Sequence, residues 1–82
     1  MALVREIRPG SSGWNTIIYT DGTRYDGYTR DREIRHGLGT FYDADGSLLQ
    51  QGEWLNDEFS LPLEDDEFNL RVNQSMHHTP HW

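Results

Sequence analysis

Glycine residues recur at short intervals through the middle of this chain, and they constrain its fold more than any other feature. In the segment 14–59 these residues are Gly22, Gly27, Gly37, Gly39, Gly46 and Gly52. A glycine inside a helix costs roughly 1 kcal/mol relative to alanine, so this spacing argues against helices. Glycine also adopts positive φ without a steric penalty, which suits the reversals between strands. The pattern predicts a β structure with turns or close backbone packing at these glycines.

Two Asp-Gly pairs mark the tips of predicted β-hairpins. Asp21-Gly22 and Asp45-Gly46 are each flanked by runs of β-favouring residues. The runs are 15–19 and 23–28 for the first pair, and 38–42 and 47–55 for the second. Asp-Gly between such runs is a strong hairpin signal, because the glycine supplies the positive φ that a tight turn requires. The charged stretch 29–35 between the hairpins is predicted to be a longer connection that faces solvent.

The composition divides the chain into three segments. Residues 1–13 alternate briefly and then break at Pro9-Gly10, which predicts an N-terminal strand and a linker. Residues 14–59 contain the hairpins. Residues 60–82 lack glycine, carry an acidic run and end in a His-rich stretch, which predicts an extended or short-helical tail. The expected fold class is therefore all-β, an antiparallel meander of stacked β-hairpins with this tail appended.

The balance of charge indicates the kind of partner. Fourteen acidic residues stand against seven arginines and no lysine, which gives a net charge of -7. This charge repels bare nucleic acid and anionic membranes, so we expect neither direct nucleic-acid binding nor membrane insertion. No run approaches the ~20 apolar residues of a membrane span, and the first six residues lack the apolar region of a signal peptide, so we expect a protein that is not secreted. We expect a cytoplasmic protein whose partner is a basic protein surface.

The middle of the chain also resembles a known repeat family. The motifs Tyr25-Asp26-Gly27, His36-Gly37-Leu38-Gly39-Thr40-Phe41, Asp45-Gly46 and Gly52-Glu53-Trp54 resemble, in this order, the pattern of membrane occupation and recognition nexus (MORN) repeats. The resemblance covers residues 16–59. It departs from the family where Thr29 and Gln50 replace expected aromatic residues and where one extra residue lies between Gly27 and Gly37. In that family each unit is a β-hairpin and successive units stack. The resemblance implies scaffolding or protein recognition, without a shared catalytic centre.

Residues with potential chemistry do not form a recognisable catalytic or metal motif. The Asp43 to Ser47 loop lacks the EF-hand spacing of oxygen ligands, so a turn is the better interpretation. Pro80 prevents a helix from placing His77, His78 and His81 on one face. The serines and carboxylates have no nucleophile or phosphate-loop context. We therefore expect no enzymatic activity, no cofactor and no metal.

The sequence favours a non-enzymatic interaction module, a small structural or adaptor subunit of a larger complex. Its partner is expected to present arginine and lysine around an apolar surface. The meander is predicted to present one aromatic face, which includes Trp14, Tyr25, Tyr28, Phe41 and Trp54. The predicted partner-binding residues are Tyr28, Trp54, Phe59, Glu64, Asp65, Asp66, Glu67, Phe68 and Trp82. The alternative hypothesis is a small acidic inhibitor, of phage or mobile-element type, that mimics nucleic acid and blocks a nucleic-acid-binding machine.

Overall fold

The computed structural model describes residues 3–10 and 12–76, which form one six-stranded antiparallel sheet followed by a helix. The elements are β1 (Val4–Pro9), β2 (Trp14–Tyr19), β3 (Arg24–Arg30), β4 (Ile34–Tyr42), β5 (Leu48–Leu55), β6 (Glu58–Pro62) and α1 (Asp65–Met76). Each strand pairs with the next one along the chain, so the sheet is a meander of hairpins. The predicted all-β meander is confirmed, and of the two forms expected for the tail, extended or short-helical, residues 65–76 adopt the helical one.

The two Asp-Gly pairs lie at hairpin tips. Gly22 and Gly46 have φ of 90° and 92°, and their N–H groups donate to the carbonyls of Tyr19 and Asp43. The preceding aspartates stabilise the same turns, because each carboxylate accepts bonds from the hydroxyl and the backbone N–H of the residue two positions ahead. These hydrogen bonds hold the pKa of both carboxyls below the usual range.

The prediction of a longer connection over 29–35 is wrong. β3 continues to Arg30 and β4 begins at Ile34, so the chain reverses over the three residues 31–33. Asp31 and Arg32 have φ of 51° and 68°, in the left-handed region, and the Glu33 N–H donates to the Asp31 carbonyl at 2.8 Å. No glycine marks this turn, so the pattern of turn residues does not indicate it.

A second turn without glycine joins β5 to β6. Asn56 and Asp57 have φ of 48° and 74°. The Asp57 N–H donates to the carbonyl of Arg35 at 2.8 Å, and Arg30 Nη1 donates to Asn56 Oδ1 at 2.7 Å. His36 Nδ1 accepts from the Asn56 N–H at 3.1 Å. The two turns are therefore bound side by side at one end of the sheet.

All three predicted segments contribute to this sheet. In the N-terminal segment β1 pairs with β2 from Val4 to Pro9. In the C-terminal segment β6 crosses the predicted boundary between residues 59 and 60. The acidic run then begins α1, where Asp65, Asp66 and Glu67 occupy the first turn. Negative charge there is stabilised by the positive end of the helix dipole.

An aromatic cluster covers one face of the sheet. Ile17, Tyr19, Tyr25 and Trp54 are buried, and Phe41 and Phe59 pack against them together with Val4 and Ile7. Trp54 contacts three neighbouring rings, with centroid distances of 5.4 Å to Tyr25, 6.1 Å to Phe41 and 5.1 Å to Phe59. Its indole N–H donates to the carbonyl of Gly39 at 3.1 Å. Large rings thus supply most of the buried apolar area in a small domain.

Arg35 lies over this aromatic cluster. Its guanidinium carbon is 4.6 Å from the Trp54 ring centroid and 5.4 Å from that of Phe41. Arg35 Nε donates to Asp57 Oδ1 at 2.7 Å, and Nη2 donates to the Asp57 carbonyl at 2.9 Å. The cation therefore contacts the aromatic rings while its charge is balanced by a carboxylate in the neighbouring turn.

Two glycines lie beneath the Tyr25 ring. Gly27 and Gly39 face each other on β3 and β4, and a Cβ at Gly39 would lie within 3.0 Å of three atoms of the Tyr25 phenol. The Tyr25 hydroxyl donates to the carbonyl of Tyr28 at 2.7 Å. The ring thus lies flat against backbone, in space that only glycine leaves open.

The predicted single aromatic face is wrong, because the aromatic residues are divided between the two faces. Trp14 and Tyr28 are register partners, and so are Ile17 and Tyr25. Trp14 precedes Ile17 by three residues on β2, and Tyr25 precedes Tyr28 by three on β3. Because successive residues of a strand point to opposite faces, residues separated by three lie on opposite faces. Trp14 and Tyr28 therefore form a separate edge-to-face pair, with centroids 5.1 Å apart, on the face opposite the cluster.

Burial of the Tyr19 and Tyr25 phenols predicts a loss of stability at alkaline pH. Removal from water raises the pKa of both hydroxyls. Above pH ~10 the unfolded chain therefore releases protons that the folded chain retains, so the free energy of unfolding falls as the pH rises. Denaturant titrations between neutral pH and pH ~11 measure this fall.

The variant Tyr25→Phe tests whether the Tyr25 phenol stays protonated in the folded chain. In the folded state at pH ~10.5 it should show the same phenolate absorbance as the parent chain, because Tyr25 is still protonated there. A smaller phenolate signal in the variant would contradict the inference from burial.

Candidate protein-interaction groove

An open groove lies where β6 ends earlier than its neighbour β5. The last register pair of the two strands is Gly52 with Pro62, and one further bond joins the Leu63 N–H to the carbonyl of Gln51 at 2.9 Å. The chain then turns away into α1. Residues 48–50 of β5 therefore have β4 on one side and, among the described residues, no strand on the other.

The floor of the groove is apolar. Its volume is about 620 Å³, and it is lined by Leu48, Leu49, Gln50, Gln51, Phe59, Pro62, Leu63, Glu64, Asp65 and Asp66. Leu48 and Leu49 are each 50 % exposed although they are consecutive strand residues. A β-bulge explains this. The consecutive β4 residues Phe41 and Tyr42 pair with Gln50 and Leu48, so Leu49 is an extra residue on β5 without a partner in β4. A bulge changes the direction of a side chain, so both leucines can line one groove.

The rim of the groove is acidic. Glu64, Asp65 and Asp66 lie along it, and the described residues that line the groove include no arginine. Gln51 Nε2 donates to Asp65 Oδ1 at 2.8 Å, which joins the rim to β5. The surface combines exposed leucine side chains with concentrated negative charge, an arrangement that favours a basic ligand with apolar side chains.

The helix is held on the sheet by contacts along its length. Phe68, a residue of α1, is only 6 % exposed. Arg71 pairs with Glu53 on β5 and with Glu67 one turn earlier in the helix. Near the end of the helix the Ser75 and Tyr28 hydroxyls are 2.9 Å apart. α1 therefore lies across the face opposite the aromatic cluster.

The structure separates the predicted partner-binding residues into groups. Phe59, Glu64, Asp65 and Asp66 line the groove. Trp54 and Phe68 are buried, so in this structure they support the surface and do not form it. Glu67 is bound to Arg71.

Two further predicted residues lie away from the groove. Tyr28 contacts Trp14 and Ser75 at a distance from it. Trp82 lies outside the described residues, as does the histidine cluster at 77–81.

Sequence reasoning missed Leu48 and Leu49. Both were assigned to a strand of the second hairpin, where alternation would place only one of two consecutive residues on a given face. The available signal was the pair itself, since two adjacent leucines directly after an Asp-Gly turn fit a bulge better than a regular strand. The early end of β6, which opens the groove, has a weaker signal in Pro62.

Within residues 3–10 and 12–76, no group of three or more His, Asp or Glu residues is arranged to hold a metal ion. In the same residues, α1 falls short of the length and apolarity that a membrane-crossing helix needs.

The fold and groove together define a small β-meander protein with a helix across one face. Compared with protein-family models, with curated proteins and with solved structures, the chain shows no match.

Proposed function

We propose that this chain is a non-enzymatic protein-interaction module that binds a basic, apolar segment of a partner protein in the groove beside β5. The observation that carries the proposal is the coincidence of exposed Leu48 and Leu49 with the carboxylates of Glu64 and Asp66 around one open volume. Exposed apolar side chains contribute binding energy when they leave water, and the acidic rim selects the charge of the ligand.

The distribution of ion pairs supports this location. Elsewhere on the sheet, several carboxylates lie next to arginines, as in the pairs Glu6 with Arg8, Asp26 with Arg24 and Asp57 with Arg35, although others, such as Glu33 and Glu58, form no such pair within residues 3–10 and 12–76. Glu64 and Asp66 form no such pair among the described residues. Their negative charge is available to an incoming arginine or lysine.

The same proposal includes a relationship to MORN-type modules. It is supported by the resemblance of residues 16–59 to that repeat and by the stacked hairpins of the meander. A role as an adaptor or structural subunit within a larger complex follows from the class of module.

Neutralising two rim carboxylates is expected to weaken binding of a basic peptide. The probe is acetyl-Arg-Val-Arg-Leu-Arg-Val-Arg-amide, and the variant is Glu64→Gln with Asp66→Asn. We expect a loss of affinity of about tenfold at low ionic strength and a smaller loss near 1 M salt, since each exposed charge contributes up to ~1 kcal/mol and is screened by salt. Isothermal titration calorimetry measures both affinities.

A matched control separates the rim from the net charge. Glu33→Gln with Glu58→Gln also removes two carboxylates from the opposite end of the strands, where Glu33 lies between β3 and β4 and Glu58 is the first residue of β6. This control should bind the peptide as the parent chain does. Equal losses of peptide affinity in both variants would contradict binding in the groove. They would favour the acidic-inhibitor alternative, in which the total charge drives binding.

A further inference from the structure

The edge of β5 that lines the groove has an unpaired stretch of backbone. Leu48 and Gln50 have partners in β4, whereas Leu49 has no register partner in β4 or in β6. Among the described residues, the last bond on the outer side of β5 is the one from the Leu63 N–H to the Gln51 carbonyl. The residues of β5 that precede Gln51 have no described strand beside them on that side. A strand with one side paired and the other open is a template for a further strand.

The early end of β6 gives this opening its size. Three β5 residues, 48–50, span about 10 Å at the usual strand rise, which fits a short extended segment. The groove volume of about 620 Å³ falls in the range of roughly 300–1,000 Å³ that is typical of ligand pockets. An α-helix would be too wide to reach the backbone of β5, since its diameter with side chains is about 10–12 Å.

Resting on the function proposed above, we infer that the groove binds its partner by strand addition, in which an extended partner segment pairs with the open edge of β5 at residues 48–50. Alternate side chains of a strand point to opposite faces. The segment therefore presents apolar residues to Leu48 and Leu49, and arginine or lysine to Glu64 and Asp66. The backbone pairing supplies affinity and the alternate side chains supply specificity.

The experiment places the chemical change in the peptide, so that the fold of the chain is untouched. The peptide acetyl-Arg-Val-Arg-Leu-Arg-Val-Arg-amide is compared with two N-methylated forms, one at the central leucine and one at an adjacent arginine. N-methylation removes one backbone donor, and in a strand successive N–H groups point to opposite edges. One methylated peptide should lose at least about tenfold in affinity, and the other should remain within about twofold of the parent peptide.

The outcomes distinguish this inference from the proposed function. Binding that depends on Glu64 and Asp66 but is equally affected, or unaffected, by both methylations would overturn strand addition alone. Absence of rim-dependent binding by the unmodified peptide would overturn the proposed function and the inference with it.

A second copy of this chain is the competing occupant, because the edge strand β1 carries Arg5 and Arg8. Sedimentation velocity tests this directly. Concentration-dependent self-association that is abolished by Glu64→Gln with Asp66→Asn would assign the open edge of β5 to a second copy of this chain. That result would overturn the inference that a segment of a different protein pairs with it.

Discussion

Replacing Gly39 with alanine is expected to lower the free energy of unfolding by at least about 3 kcal/mol, and the melting temperature by about 12 °C or more. The added Cβ would overlap the Tyr25 phenol, which is fully buried. The backbone cannot move aside, because Gly39 is paired with Gly27 on one strand and with Gly52 on the other. Displacing the ring would also break its hydroxyl bond to the Tyr28 carbonyl. Thermal unfolding followed by circular dichroism measures the effect.

Two comparisons isolate the steric cause. Gly46→Ala adds a methyl group where nothing lies within 4 Å, at a residue with φ of 92°. It should cost only about 1–2 kcal/mol, the penalty for a left-handed conformation. In a Tyr25→Leu background the Gly39→Ala change should cost much less than in the parent chain, because the overlapping ring is gone. An equal cost in both backgrounds would show that Tyr25 is not the obstacle.

Replacing Trp54 with alanine is expected to cost about 3–5 kcal/mol of stability. A domain of this size has roughly 4–12 kcal/mol in total, so the variant should be at the margin of folding. Trp54 is 4 % exposed, contacts three rings in edge-on or tilted geometry and lies under the Arg35 guanidinium. Its loss would leave a cavity in the centre of the aromatic cluster. Urea denaturation measures the change.

Two matched variants test the role of this position. Trp54→Phe keeps a ring but leaves the Gly39 carbonyl without the indole donor, so we expect an intermediate loss of about 1–3 kcal/mol. Trp14→Ala removes the same residue type from the opposite face, where Trp14 is only half-buried and pairs with Tyr28. It should destabilise the chain less than Trp54→Ala. A larger effect at Trp14 would mean that the helix-covered face dominates stability.

The local signals of the sequence predicted the hairpins that glycine marks. Asp21-Gly22 and Asp45-Gly46 can be read directly, because the turn geometry is built into those residue types. The reversal between β3 and β4 was predicted as a longer connection than the structure has, and the turn at Asn56-Asp57 was missed, since residues with side chains adopt positive φ in both. Hydrogen bonds from the second turn to the neighbouring strand β4, including the bond from the Asp57 N–H to the Arg35 carbonyl, stabilise that geometry. Such bonds join residues that are distant along the chain, so no local pattern reports them.

The candidate site was predictable only in part. The acidic run of Glu64, Asp65 and Asp66 was identified from its charge, and Phe59 from its apolar side chain. Leu48 and Leu49 were not identified, because their exposure depends on a bulge and on the early end of β6. Trp54 and Phe68 were predicted to contact a partner, yet the sheet and the helix bury both of them. Aromatic content alone does not distinguish a core residue from an interface residue.

By itself, the amino-acid sequence determined the class of fold, because glycine spacing and Asp-Gly turns act through the backbone of a few neighbouring residues. It also determined the acidic character of the surface, which follows from composition. The tertiary structure alone decided which rings share a face, where β6 stops and how α1 lies on the sheet. These features depend on register and on packing between strands, where a shift of one residue moves a side chain to the other face.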